Sequence, residues 1–277
     1  MPSSDRRHRP EPPDSQNDWD QPREVAIPRL LDRHGSRLYA LGRRICGRSD
    51  EGEDLVQEVF MQAWRMWDQF DGRSDPAVWL YTIARRACQR MHRRRAGEPD
   101  GLESLDESLP FDGPRMAVPD SDTLDAQHRR EQREAVGAAI TTLPGEFRLA
   151  LVLKDIVGFS IAEVAEILDV KEATVKTRIH RARLRLRQAL ERGLPERELP
   201  PPAYSRQVCM DLLQTKQDAL DRGVEMPNAS AIICDRCQAV FATLDLTRDA
   251  CGALAEGELP AGLRNLLLTE MKTARPS

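Results

Sequence analysis

Leu143 to Leu190 reads LPGEFRLALVLKDIVGFSIAEVAEILDVKEATVKTRIHRARLRLRQAL. Within it Ile161, Val164, Ala165 and Leu168 fall on one face of a short helix, with Ser160 placed to cap its N-terminus. A brief turn at Asp169-Val170 follows, and a second helix turns Val175, Ile179, Ala182 and Leu186 inward. Two short helices with a small residue, Ala165, at their crossing predict a helix-turn-helix. In that motif the start of the second helix meets base edges in the major groove. Here those residues are Glu172, Ala173, Thr174, Lys176, Thr177 and Arg178. Arg181, Arg183, Arg185 and Arg187, farther along, are spaced for phosphates, which fix register without reading sequence. The density of basic residues argues against an ordinary helical hairpin with a charged exterior.

Working outward, the charges are sorted into blocks that the net value of −4 conceals. Lys171 to Arg192 holds eight Lys or Arg against Glu172 and Glu191, and Pro76 to Arg95 holds six arginines and no acid. Between these blocks, Glu98 to His128 carries nine acids against Arg115, with Pro99, Pro110, Pro114 and Pro119. Such a composition cannot bury enough apolar surface to order itself, so residues 96–128 read as a flexible acidic linker. Two basic modules on one tether suggest a polyanion contacted at two places, a nucleic-acid pattern more than a membrane one.

The first module is helical by period. Ile27, Leu30, Leu31, His34, Leu38, Leu41 and Ile45 recur at helical spacing, as do Leu55, Val56, Val59, Phe60, Ala63, Trp64 and Trp67. Asp75-Pro76 predicts the cap and first turn of a third helix with Leu80, Ile83, Ala84, Ala87 and Met91 on its apolar face. Arg86, Arg90 and Arg93 form a cationic stripe beside that face. Trp64, Trp67 and Trp79 read as core aromatics rather than a base-stacking platform. No apolar run nears the ~18 residues of a spanning helix, and the polar, Pro-rich start lacks the apolar centre of a signal peptide, which predicts a cytoplasmic protein without membrane contact. No catalytic constellation or Gly-rich phosphate loop emerges, so an enzyme is not expected.

DLVQEVFMQAWR at Asp54 to Arg65 and WLYTIARR at Trp79 to Arg86 resemble region two of the extracytoplasmic-function (ECF) sigma factors of bacterial RNA polymerase. The stretch Leu143 to Leu190 resembles their region four. The resemblance implies that Asp54, Leu55, Gln57, Glu58 and Phe60 dock on the coiled coil of the largest subunit of core RNA polymerase. It implies that the loop Phe70 to Asp75, with Arg73 and Ser74, together with Trp79, Arg85, Arg86 and Arg90, handles the minus-ten element of promoter DNA. It also implies that the helix-turn-helix, through Thr174, Lys176, Thr177, Arg178, Arg181 and Arg185, reads the minus-thirty-five element, while the linker follows the RNA exit path. Family members commonly carry Asn and Asp where this chain has Arg86 and Arg90, which implies an unusual promoter preference. An operator-binding regulator with a metal-sensing tail is the rival reading, but it has no use for a region-two helix.

Residues 193–277 lie beyond the usual end of such a chain and hold four of the six cysteines. Their CMDLLQTKQDALDRG at Cys209 and CDRC at Cys234 to Cys237 resemble zinc-binding anti-sigma domains, which usually carry His-x3-Cys-x2-Cys; here Ser230 takes the histidine position. That resemblance implies a site for zinc, or another thiophilic metal, from Cys209, Cys234 and Cys237, with Cys251 as the candidate fourth ligand. Cys46 and Cys88 read as ordinary residues of their helices. The expected fold is therefore all-α: a tail (1–24, disordered), region two (25–95), the linker (96–128), region four (129–192) and a small helical Cys-containing regulatory domain (193–277), with the sigma modules as its intramolecular partner.

Overall fold

The computed structural model describes residues 21–46, 49–93, 115–118, 126–226, 233–255 and 258–274. The expected tail up to residue 20, most of the acidic linker and Ser230 lie outside the described residues. Three helices make the first module: α1 (Arg23–Cys46), α2 (Ser49–Met66) and α3 (Pro76–Arg93). Their apolar stripes meet as the periodicity predicts, with Ile27, Leu38, Leu55, Val59, Phe60, Leu80 and Ala87 at 3% exposure or less. α1 and α2 approach so closely that a Cβ on Gly42 would sit 2.8 Å from the Cα of Gly52. Only glycine fits such a crossing. Asp75 starts α3 by accepting a hydrogen bond from the Ala77 amide at 2.7 Å, and Trp67, Phe70 and Trp79 pack with ring centroids 5.1–5.7 Å apart.

The second module runs through α4 (Ala126–Thr142), α5 (Gly145–Leu151), a π-helical turn (Val152–Val157), α6 (Ile161–Leu168) and α7 (Glu172–Glu191). Gly158, at φ 98°, turns the chain out of the π segment. Ser160 then caps α6 in a reciprocal box: its hydroxyl accepts from the Glu163 amide at 3.2 Å, and the Glu163 carboxylate accepts from the Ser160 amide at 2.7 Å. Asp169, left-handed at φ 55°, closes α6. Val175, Ile179, Ala182 and Leu186 are all buried, which sets the face of α7.

Three findings add to the sequence reading. The two modules are not held apart on a tether; they share one core, with Tyr81 of α3 edge-on to Phe159 at 4.8 Å. Arg148 adds to this seam by donating to the Ile45 carbonyl at 2.9 Å as well as to those of Thr141 and Leu143. Secondly, the all-α fold carries one small antiparallel sheet, β1 (Arg115–Ala117) with β2 (Glu196–Glu198), so part of the supposed linker is ordered. Met116 and Ala117, an apolar pair within the acidic stretch, are buried there, which supplies the driving force. Lastly, the described residues beyond 193 pack against both modules. α8 (Arg206–Arg222) packs on the first half of α9 (Asp235–Ala253) around Leu213, Leu220, Val240, Phe241 and Leu244. The second half of α9, through Ala250, Cys251 and Leu254, joins the core of the two modules. α10 (Ala261–Thr273) buries Leu263, Leu267 and Met271 in the same core, lying against α2.

Replacing Ser160 by Ala removes half of the capping box and should cost about 1 kcal/mol. Urea denaturation of the purified variant measures this, and an unchanged midpoint would show the cap to be energetically idle.

Candidate nucleic-acid interface

On α7 the residues expected to touch DNA divide by exposure. Lys176, Thr177 and Arg181 are exposed, and Thr174, Arg178 and Arg185 are half-buried. Glu146, Phe147, Ala173, Thr174, Thr177 and Arg178 line a shallow open groove at the start of the helix. Arg178 forms an ion pair with Glu146 across it. To read a base, that guanidinium has to exchange one acceptor for another.

Arg183 and Arg187 do not face outward, which corrects their placement among the phosphate contacts. Arg183 is 1% exposed. Its guanidinium is clamped by both oxygens of Asp155, at 2.7 and 2.8 Å, and donates to Asp221 Oδ1 of α8 at 2.7 Å. Burial alone would weaken its hold on the proton, but the two carboxylates more than offset that and raise its pKa. Arg187 donates to Thr243 Oγ1 of α9 at 3.1 Å and pairs with Glu191; there burial wins, and its pKa is lowered. The signal was available: Arg183 stands four residues after Ile179 and three before Leu186, inside the apolar stripe.

α8 therefore lies against the flank of the helix-turn-helix. His180 Nε2 is 2.9 Å from Asp221 Oδ2, Gln217 donates to the His180 carbonyl at 3.2 Å, and Lys176 sits 3.8 Å from Asp218. Burial opposes ionisation of Asp221, yet the His180 hydrogen bond and the Arg183 charge hold its carboxyl below the ordinary range.

In the first module, Asp54 and Glu58 are exposed on α2, Gln57 is half-buried, and Leu55 and Phe60 are fully buried. The last two are core residues that position the helix, a correction to their place among docking residues. They extend the stripe of Val56 and Val59, so their direction is set by helix period. Glu58 is paired with Arg90, which also donates to Gln62 at 3.2 Å. Asp54, Gln57, Glu58, Met61, Gln62 and Arg65 border a groove whose edge meets α10, where Gln57 donates to Glu270 at 3.0 Å. On the neighbouring α1, Asp32 accepts from Arg264 of α10 at 2.7 Å. Sequence reasoning missed Asp32, Arg264 and Glu270, because nothing local marks contacts between segments more than 200 residues apart.

Of the residues expected at the minus-ten element, Arg73 and Arg86 are exposed, and Ser74 is half-buried. Arg85 donates to the Leu168 carbonyl of α6 at 3.2 Å, so here it joins the modules instead of facing solvent. Trp79 is half-buried in the aromatic cluster, as the core reading of the tryptophans has it.

The cysteines separate into two places. Cys234 is the N-cap of α9, Cys237 lies one turn on, and the thiols of Cys234 and Cys209 neighbour that of Cys237. Burial and these neighbouring thiols push Cys237 up to about 12. Burial acts the same way on Cys234, but the amides of Ala203, Cys237 and Arg236 outweigh it and lower its pKa. The amides thus favour the thiolate form of Cys234, while burial favours the protonated form of Cys237. Cys251 cannot complete the set. It lies fourteen residues beyond Cys237 on the same helix, roughly 21 Å at 1.5 Å per residue, in the core shared by the two modules. Cys88 is an ordinary buried core residue.

Because Asp221 ionises more readily in the folded state, it contributes stability above the ordinary carboxylate range, about pH 4, and that contribution disappears as pH falls through its lower folded value. Asp221→Asn should cost roughly 1.5–3 kcal/mol at pH 7. Melts at pH 7 and pH 3 check this: the gap between wild type and variant should narrow in acid, and a constant gap would refute the linkage.

Residues 30–98 match the family description Sigma-70 region 2, and residues 133–186 match Sigma-70, region 4. The chain is 34% identical over 171 residues to the ECF RNA polymerase sigma factor SigW of Bacillus subtilis, covering 58% of this chain and 87% of that one. It is 34% identical over 167 residues to SigM of Mycobacterium tuberculosis, covering 60% and 77%. With SigE of Mycolicibacterium smegmatis the identity is 35% over 167 residues, covering 60% of this chain and 62%, less than two thirds, of the relative. With both regions in order, folded as helices that present these faces, the chain belongs to the ECF RNA polymerase sigma factors.

Proposed function

We propose that this protein binds core RNA polymerase through the Asp54/Glu58 face of α2, reads minus-ten and minus-thirty-five promoter elements with its two modules, and is restrained by its own C-terminal segment. One observation carries the last part: the segment contacts both modules at once, with α10 on the α2 face and α8 on α7. Elements centred ten and thirty-five base pairs upstream lie roughly 85 Å apart at 3.4 Å per base pair. Tyr81 and Phe159, one from each module, are in ring contact. A form that touches both elements must part them, so the compact form is the inactive one. Core polymerase would then stabilise the open form by binding it selectively. Cys209, Cys234 and Cys237 would hold zinc or another thiophilic metal, supplying folding energy to the α8–α9 hairpin and making the restraint sensitive to metal or oxidant. Minus-ten DNA would take Arg73, Arg86 and, once the modules separate, Arg85.

Transcription with purified core polymerase tests the reading. Deleting residues 194–277, or reversing two charges of α10 with Arg264→Glu and Glu270→Lys, should raise core affinity and run-off product several-fold. Activity that is unchanged or lower in both would overturn the restraint, and no promoter-specific product from any form would overturn the sigma assignment. In the opened form, Arg178→Ala should cost ~1–3 kcal/mol and relax discrimination at one or two minus-thirty-five positions. Arg181→Ala should weaken binding to all sequences alike and reduce the salt slope by about one. Filter binding at several salt concentrations separates the two, and identical behaviour would displace the helix from the groove.

A further inference from the structure

We infer that His180 of α7 with Asp218 and Asp221 of α8 forms a second metal site, one for a first-row divalent cation, which clips the DNA-reading helix to the C-terminal segment. Its regulatory meaning rests on the proposed restraint; its chemistry stands on the geometry alone. One ligand atom from each of the three residues lies within 4.8 Å of the others. Asp218 and Asp221, three apart on a helix, share a face, and His180 reaches them from the other helix.

The surroundings are those of a ligand set. The side chains of His180 and Asp221 are 12% and 4% exposed. Asp221 offers Oδ2 to the cluster while Arg183 holds its Oδ1 at 2.7 Å, and Arg183 is itself fixed by Asp155. An outer partner of this kind orients a ligating carboxylate. Asp218 Oδ1 is shielded from solvent and accepts no hydrogen bond, with the Lys176 ammonium 3.8 Å away. A buried acceptor left in that state is costly, and a bound cation satisfies it. Asp218 is 37% exposed as a side chain, which leaves an entry path.

One imidazole nitrogen and two carboxylate oxygens favour zinc, cobalt, nickel or manganese over calcium or magnesium, which prefer all-oxygen shells. On binding, the His180–Asp221 hydrogen bond gives way to two bonds to the metal. The site shares no residue and no ligand type with the thiols of Cys209, Cys234 and Cys237. Since its ligands come from both sides of the α7–α8 contact, occupancy favours the compact form.

Equilibrium dialysis of the full chain against Zn2+ and Co2+, with metal analysis, tests the proposal. Wild type should bind one equivalent more than His180→Gln or Asp218→Asn, and that equivalent should persist in Cys234→Ser/Cys237→Ser. Circular dichroism confirms folding, for which the half-exposed Asp218→Asn is the safer variant. Equal stoichiometry in wild type and both variants overturns the site. Loss of the equivalent in the variants, with transcription by the full chain indifferent to it, upholds the site and overturns its regulatory role. A several-fold rise in run-off product in Asp218→Asn at saturating metal supports both.

Discussion

A single buried guanidinium, that of Arg183, organises the joint between the DNA-reading module and the rest of the chain. It takes one carboxylate from its own module, Asp155, and one from the C-terminal segment, Asp221. Removing two or three charges from water costs several kcal/mol per ion, so such a cluster adds little net stability. What it provides is register: α8 fits against α7 only where Asp221 meets Arg183, which also places Gln217, Asp218 and His180. The asymmetry matters for release. When α8 departs, Arg183 keeps Asp155 and is not left as an uncompensated buried charge, so the contact can open without unfolding the module beneath it.

The same logic runs through the first module. Asp32 and Gln57 meet Arg264 and Glu270 at the edge of α10, while Leu263, Leu267 and Met271 supply its apolar hold. The polar contacts are partly exposed and contribute little each; the three buried side chains carry the affinity. Both ends of the C-terminal segment thus combine an apolar anchor with a charged register mark.

What could be read from the sequence was local. Helix faces, the Asp75 and Ser160 caps and the turn at Asp169 follow from 3.6-residue period and capping chemistry, which involve neighbours a few residues away. Arg183 and Arg187 were hidden by their company: in an alternating run with Arg181 and Arg185, composition suggests one solvated face where geometry makes two. Leu55 and Phe60 show the converse, since a motif gives a role to a whole stretch while the helix turns only some of it outward. The sharing of one core by both modules had no signature at all, because Tyr81–Phe159 and Arg85–Leu168 join distant segments. Cys251 was joined to the other thiols by residue type, although one straight helix keeps it apart from them.

That helix, α9, belongs to two cores. Its first half packs with α8, and its second half enters the core of the two modules, where the helix meets α4, α7 and the π-helical turn. At 19 residues it is about 28 Å long and uninterrupted by proline. A rod embedded at both ends couples what it enters: neither core can loosen without losing half the burial of the shared helix. Hydrogen exchange along its backbone should therefore slow to one common rate, set by the joint release of its two ends rather than by fraying from either one.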